Sequence, residues 1–525
     1  MSDFSGFVSP SAPGVPSGLD SVASSATSSL GGLNTNAPQE PEIPPGLLAL
    51  LGALSTQAAA YEPLSGEAGN PFAAAIYLAY LAAVGTSAAV NDGTPSLAVY
   101  DPSTGVVPAV GATQVGYTLL SDANVGNGDV ILPGLVSLID DAADVPVYLS
   151  GGADGEFIRA SYGDLTFFAG SGSGVFIADG SYNPSDGNLP STNNSFIAPS
   201  AGAGNWVISM GDGDNTVTAA SGNDSVSTGT GANQITLGSG TNLVYSGGQD
   251  TIQAGSGSAS VTASGNALVY AGSGVLTFVN GTGSSTVQGG SGQAIVVGGS
   301  GRLTAFGANA PFAAFGGAAG GNLLTASAGN ATLVGAGNDN TIAGGSGVNL
   351  IVTGGGQNNL VFAGSGQNVI FGGAGSDMIV GGSGYDIVIA GTGTEQIYAG
   401  SGSSTVFGGS GADVIVAGLG NAVIVQGSGA STVLGGAGSA YIWGGQGTDL
   451  YEFVNGAAGG NDVIYGFKPG TDHIALHGYS AGAVAAAAAE AQAVTGAGGN
   501  TTFQLSDGTH VTVMGVSGLG SGSFV

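Results

Sequence analysis

A nine-residue unit recurs from about Met210 almost to Glu452, and so short a period leaves the chain few ways to fold. Self-similarity at a fixed period marks a solenoid, in which each repeat buries its apolar side by stacking on its neighbours. The clearest copies are GGAGSDMIV (372–380), GGSGYDIVI (381–389) and GGSGADVIV (408–416), with AASGNDSVS (219–227) and GGSGVNLIV (344–352) looser. The glycine half supplies residues that take φ > 0 in a tight turn. The other half is a short strand whose middle residue points inward: Val217, Val226, Ile235, Val244, Ile379, Val388, Ile397, Val406 and Ile415. Two units close one flattened coil, so a residue meets its vertical neighbour 18 positions later. Residues 210–452 span 243 positions, or 27 units of nine. At two units per coil and ~4.8 Å between strands, the roll is roughly 60–65 Å long. The expected fold is mainly β: a right-handed parallel β-roll or β-helix solenoid, with a small N-terminal helical segment and an irregular β region.

That register sets acid above acid. Asp377, Glu395 and Asp413 are spaced 18 and 18 along one edge. On the opposite edge Asn368 and Asp386 are 18 apart, followed by Ser404 and then Ala422. Earlier, Asp224 faces Asn242, and Asn215, Asn233 and Asp250 form the companion column after one shortened unit. Carboxylates stacked a strand spacing apart repel unless a cation lies between them. The chain has few bases with which to neutralise them: Arg159, Arg302 and Lys468 stand against 33 acids, for a net charge of −30. Compact oxygen sites rich in Asp, completed by turn carbonyls, suit calcium. The candidate ligands are Asp224, Asn242, Asp250, Asn368, Asp377, Asp386, Glu395, Asp413 and Asp449. Elsewhere the same sixth position is Ala259, Ala267, Leu276, Ser285, Ala294 and Leu303, and later Ala422, Ser431 and Ala440. The roll is therefore expected to be continuous while binding calcium in patches, best around 358–413.

Outside the repeats the chain divides by composition. Residues 1–45 are a Ser/Pro/Gly-rich arm without periodicity. Residues 46–95 hold two apolar helical candidates, GLLALLGALSTQAAA and PFAAAIYLAYLAAVGTSAAV, the second with Asn70 as N-cap and Pro71 at its first position. The second is long enough to span a membrane, but Ala, Gly, Ser and Thr dominate it and no Lys or Arg flanks it, so a span is not expected. No basic n-region precedes an apolar stretch, so a cleaved signal peptide is not expected. Residues 96–205 alternate short β-prone runs with Gly, Asp and Pro, as either a β domain or the first irregular coils of the solenoid. The roll proper occupies 206–452, and 453–525 form its cap and the C-terminal segment.

Much chemistry is excluded at this level. Cysteine is absent, which removes thiolate metal sites and Cys nucleophiles. The three histidines, His473, His477 and His510, fall in the last tenth of the chain, and there is no HExxH. His473 and His477 sit four apart on a strand-like segment and are read as structural. Asp140, Asp141 and Asp144 read as a solvated acidic loop or an extra calcium site. Trp206 and Trp443 read as packing residues near the ends of the solenoid rather than as sugar platforms. So acidic a surface is a poor partner for nucleic acid or an anionic membrane.

The nonapeptides resemble those of the RTX (repeats-in-toxin) proteins of Gram-negative bacteria. The resemblance continues through YEFVNGAAGGNDVIYGFKPGTDHIALHGY (451–479), like the segment that closes an RTX roll, and TTFQLSDGTHVTVMGVSGLGSGSFV (501–525), similar to the tail presented to type I secretion machinery. It implies bound Ca2+, export without N-terminal cleavage, and folding outside the cell. RTX is a module found with many cargoes, so the rest of the chain must decide the role. No protease helix, no nucleophile elbow and no pattern of acylated lysines is present. The expectation is a non-enzymatic, extracellular or cell-surface structural protein of the surface-layer, filament or biofilm kind, a homo-oligomer or array. The alternatives are an adhesin binding polysaccharide or a host surface through 96–200, and a polysaccharide-degrading enzyme using Asp140, Asp141, Asp164 or Asp179.

Overall fold

Successive nine-residue units go to opposite sides of the chain, and that alternation builds two parallel ladders. In the computed structural model the described residues are the strands within 96–160, then 164–178, 193–198, 202, 204–457, 459–493 and 499–525. The arm and both helical candidates lie outside them. One sheet has 22 strands and the other 19 among the described residues. In the first, Trp206–Met210 pairs with Ser225–Ser227, which pairs with Thr241–Ser246, always in parallel. In the second, Thr216–Ala219 pairs with Gln234–Leu237 and then Gln249–Gln253. The register is the expected one: Ile379 lies beside Ile397, which lies beside Ile415, and Val388 lies beside Val406.

Parallel strands buried on one face by their own coil form a single apolar spine. All nine inward residues named from the repeat are buried, at 0–1% exposure. The turns carry the other constraint. Gly391 has φ +109, and a Cβ there would overlap the carbonyl oxygen of Gly373 in the coil beneath. Glycine is thus needed at this position twice over, for its backbone conformation and for the close stacking of turns.

The ladders continue on both sides of the repeats. Ser96–Val99 pairs with Gln114–Leu120, and the same sheet runs through Ser137–Asp141, Glu156–Ala160 and Gly174–Ala178 to Trp206–Met210. Here the core turns aromatic. Phe167, Phe196 and Trp206 meet at ring separations of 5.1–5.8 Å, with Phe176 against both phenylalanines. Trp206 donates its indole N–H to the Gly172 carbonyl at 3.0 Å, so a buried donor is satisfied.

At the other end Asn461–Tyr465 pairs with His510–Val513, which turns antiparallel against Thr501–Gln504. The helix Ala481–Ala493 packs beside that hairpin, burying Ala487 and Ala491 with Phe503, Val511, Val513 and Leu519. A hairpin and helix thus cover the last coil, where an open ladder would present unpaired backbone groups.

Trp443 packs near the end of the solenoid, but on its outside. It is 39% exposed and stacks on Tyr465 at 4.9 Å and 9° on the outer face of the first sheet. Its place in the strand alternation, one residue past the buried Ile442, turns it outward.

Candidate metal centre

The sixth residue of each unit ends the glycine turn and begins the strand, with its side chain pointing into the coil. At Asp224, Asp377, Asp413 and Asp449 one carboxylate oxygen accepts a hydrogen bond from the backbone N–H of the sixth residue one coil earlier. Asp377 Oδ1 accepts from the Asn359 N–H at 2.9 Å, and Asp413 Oδ1 from that of Glu395 at 3.1 Å. Asp224 Oδ1 accepts from Trp206 at 2.8 Å, and Asp449 Oδ1 from Ser431 at 3.2 Å. Asparagines add a second bond: Asn322 donates to Asn340, Asn340 to Asn359 and Asn359 to Asp377, at 2.7, 2.7 and 2.9 Å. The opposite edge repeats this from Asn349 through Asn368 to Asp386.

An amide ladder satisfies itself, because each Asn both donates and accepts. A carboxylate ladder cannot. Asp377, Glu395 and Asp413 follow one another on adjacent coils, all buried, with 2, 0 and 1% exposure. Asp377 Oδ2 and both Glu395 oxygens have no hydrogen-bond partner. Burial first, then the Asp413 carboxylate and that of Asp377, push Glu395 up to about 9. Burial likewise raises Asp386 and Asp449, takes Asp224 up to about 6, and takes Asp462 up to about 7. Protonation or a cation is what such a stack requires.

The nine candidate ligands separate by how their polar atoms are occupied. Asp250 is saturated: Oδ1 accepts from the Asn233 backbone and side chain, and Oδ2 from Thr228 and Ser246 at 2.7 and 2.6 Å. Asp386, Asp413 and Asp449 each use their second oxygen on a turn N–H, from Gly382, Gly409 and Gly445. Asp224 Oδ2 and Asn242 Nδ2 are buried and unpartnered on neighbouring coils. Asn368 accepts from Asn349 and donates to Asp386. Among the described residues no three Asp, Glu or His side chains converge on one point. The donor set nonetheless fits a hard divalent cation: buried, unpartnered carboxylate oxygens lie beside glycine turns whose carbonyls press on the next coil.

Some members of these columns escaped the sequence reading. Asn322, Asn340, Asn349 and Asn359 extend both edges, and Asp462 and Asp472 continue them toward the cap. The steps from Asn340 to Asn359 and from Asn349 to Asn368 are 19 residues, which sets Asn322, Asn340 and Asn349 out of the 18-residue register of the later acids, whereas Asn359 is in register with Asp377. His473 and His477 lie on the strand His473–His477, where His477 Nε2 is 2.6 Å from Glu452 Oε1. Asp164 is exposed and accepts from the Asn193 N–H at 2.8 Å. Asp140 and Asp141 lie on the strand Ser137–Asp141, while Asp144 and Asp179 fall outside the described residues.

A parallel β-solenoid whose glycine turns carry stacked, partly unpartnered carboxylates is a metal-binding β-roll. Residues 211–244, 316–351, 353–388, 389–424 and 426–453 match the family of the RTX calcium-binding nonapeptide repeat (4 copies). These segments are therefore RTX-type repeats, of a kind that binds Ca2+ and is typical of secreted proteins. No curated protein matches the chain. The stretch left unmatched between 244 and 316 contains the run in which the sixth position is Ala, Ser or Leu. Among the described residues no helix is long and apolar enough to cross a membrane.

Proposed function

We propose that this protein is a non-enzymatic, extracellular building block that folds on calcium after export and self-assembles at the cell surface. A surface layer, a filament and a biofilm matrix are the forms such assembly takes. The observation that carries the reading is the Asp377–Glu395–Asp413 stack, three buried acids with three unpartnered oxygens and no base beside them. Bound between these turns, calcium supplies the positive charge that lets all three remain ionised. Asp377, Glu395 and Asp413 would hold it on one edge, Asn368 with Asp386 on the other, and Asp224 with Asn242 earlier in the roll. Asp449 continues the first edge after Ser431. Asp250, with its four donors, serves the ladder itself.

Export through type I machinery accords with such a device, since a net charge of −30 opposes compaction until a cation arrives. The test is negative-stain electron microscopy with circular dichroism, in millimolar calcium and in chelator. Sheets or filaments that appear with calcium, alongside a coil-to-β change, are expected. Single particles at high concentration in calcium would sink the assembling role and leave a calcium-folded monomer.

A further inference from the structure

The outer faces of the two sheets differ. On the first, eleven strands from Leu276–Asn280 to Asn461–Tyr465 stack in unbroken parallel register. One outward column runs from Val279 through Phe315, Phe371 and Phe407 to Trp443 and Tyr465. The column beside it runs from Thr277 through Leu350, Ile387 and Val423 to Val463. Neither column contains a charged residue, in a chain of net charge −30. Phe407, Tyr441 and Trp443 are 41, 48 and 39% exposed. The second sheet's outer face is also largely apolar, with Phe306, Phe362 and Tyr398 exposed, and both faces carry threonines, but only the second has Gln288, Gln396 and the charged Glu452 in its columns.

We infer that this uncharged face is the surface on which two copies of the chain meet, sheet against sheet. The inference rests on the self-assembly reading and names its contact. Eleven strands at ~4.8 Å make a strip about 50 Å long, and two outward columns with their side chains make it about 12 Å wide. The strip offers roughly 600 Å² per copy, or about 1,200 Å² for a pair, within the range of specific interfaces. It stands at the upper end of the apolar patches that soluble monomers leave bare. Two such strips pack at the ~10 Å spacing of aligned sheets, as one two-fold contact with Phe371 near its centre. The pairing keeps the acids away from the contact: the carboxylate-bearing turns lie along the edges, and the face that meets its copy has no charge to repel it. A charged partner would find no complementary group on either column.

The test uses the full chain in calcium. Phe371→Thr, Ile389→Thr and Val425→Thr are combined, because Thr keeps the strand propensity while removing apolar surface. Thr286→Glu with Thr304→Glu on the other sheet is the control. Light scattering is expected to show wild type and control assembled, with the triple variant weakened by about tenfold or more. Its circular dichroism and calcium-induced folding should be unchanged. Because the chain has no cysteine, Phe371→Cys carrying a benzophenone reports what touches the face. Cross-links to 277–465 of another copy support the inference. Cross-links to 46–90 of the same chain overturn it, since the apolar N-terminal segments would then cover the strip. Assembly that survives the triple variant, or cross-links elsewhere, overturns the surface while self-assembly stands. A wild type that is monomeric in calcium removes the self-assembly reading itself.

Discussion

Two stretches of one roll share a backbone and differ in what fills the sixth position. Between 359 and 413 it is Asn359, Asn368, Asp377, Asp386, Glu395, Ser404 and Asp413; between 259 and 303 it is Ala259, Ala267, Leu276, Ser285, Ala294 and Leu303. The same backbone N–H must be satisfied in both. At Asn359 and Glu395 in the polar stretch the next coil's side chain accepts it, as Asp413 does for Glu395 at 3.1 Å, while Ser404 gives it to the Asn421 carbonyl. In the apolar stretch the next coil's main chain usually does: Leu276 donates to the Gln293 carbonyl at 2.9 Å and Ala294 to that of Pro311 at 3.2 Å. Within the second sheet the strand then begins one residue earlier, at the sixth position in Ser285–Gln288 but after it in Met378–Val380. One solution completes the core with carbon and needs no ion. The other leaves carboxylates inside and makes that part of the roll answerable to a cation.

Removing calcium should separate the two stretches most. In chelator, amide exchange measured by mass spectrometry is expected to lose protection across 359–413 while 259–303 keeps more of its own. Uniform loss along both would break the comparison. Next in size, Leu276→Asp places an unpaired acid in the apolar stretch and is expected to lower stability by about 3–5 kcal/mol in chelator. Calcium should not restore it, as read by denaturant titration. Gly391→Ala, at φ +109 and against the Gly373 carbonyl, is expected to lower stability by about 2 kcal/mol or more, with calcium affinity falling alongside.

The pH response has a defined sign. Glu395 and Asp462 have folded values raised from 4.5 and 3.8 to about 9 and about 7. The folded form therefore binds their protons more tightly, and the stability that this contributes is complete below the unfolded values. It is lost as pH rises through the folded ones, so the calcium-free roll should weaken progressively between about pH 4 and 9. Circular dichroism in chelator reads this directly, and saturating calcium should flatten or reverse the trend because binding releases the protons. The smallest effect comes from Asp377→Asn, which extends the run Asn322–Asn340–Asn359 by one amide. It should raise calcium-free stability by about 1 kcal/mol and weaken calcium binding on the order of tenfold. Denaturant midpoints and calorimetric titration check the two halves separately.

The core was legible because burial in a solenoid is periodic: the nine inward aliphatics and the Asp377–Glu395–Asp413 stack follow from position alone. The asparagine columns were harder to see. The turn at 353–358 makes its coil longer, with Asn358 at φ 60, and a fixed 18-residue step from Asn359 misses Asn340. Asp250 shows a different limit. Its spacing marks it as a ligand, yet the shortened unit brings Thr228 and Ser246 onto its second oxygen. Which acids keep a free oxygen depends on neighbours 4 to 22 residues away, and no repeat pattern encodes those contacts.

The sequence by itself determined the two-sheet parallel solenoid, the inward aliphatic spine and the presence of acid columns on its edges. Period, glycine placement and charge are local properties, and stacking copies them coil after coil. The tertiary structure alone decided which carboxylates are left unpartnered. It also decided that the strands from Ser96 onward join the same ladders, that Trp443 faces out, and that one sheet shows a continuous uncharged face. These depend on coil lengths that vary by a residue and on what lies one strand away, and side chains meet there only once the chain has wound.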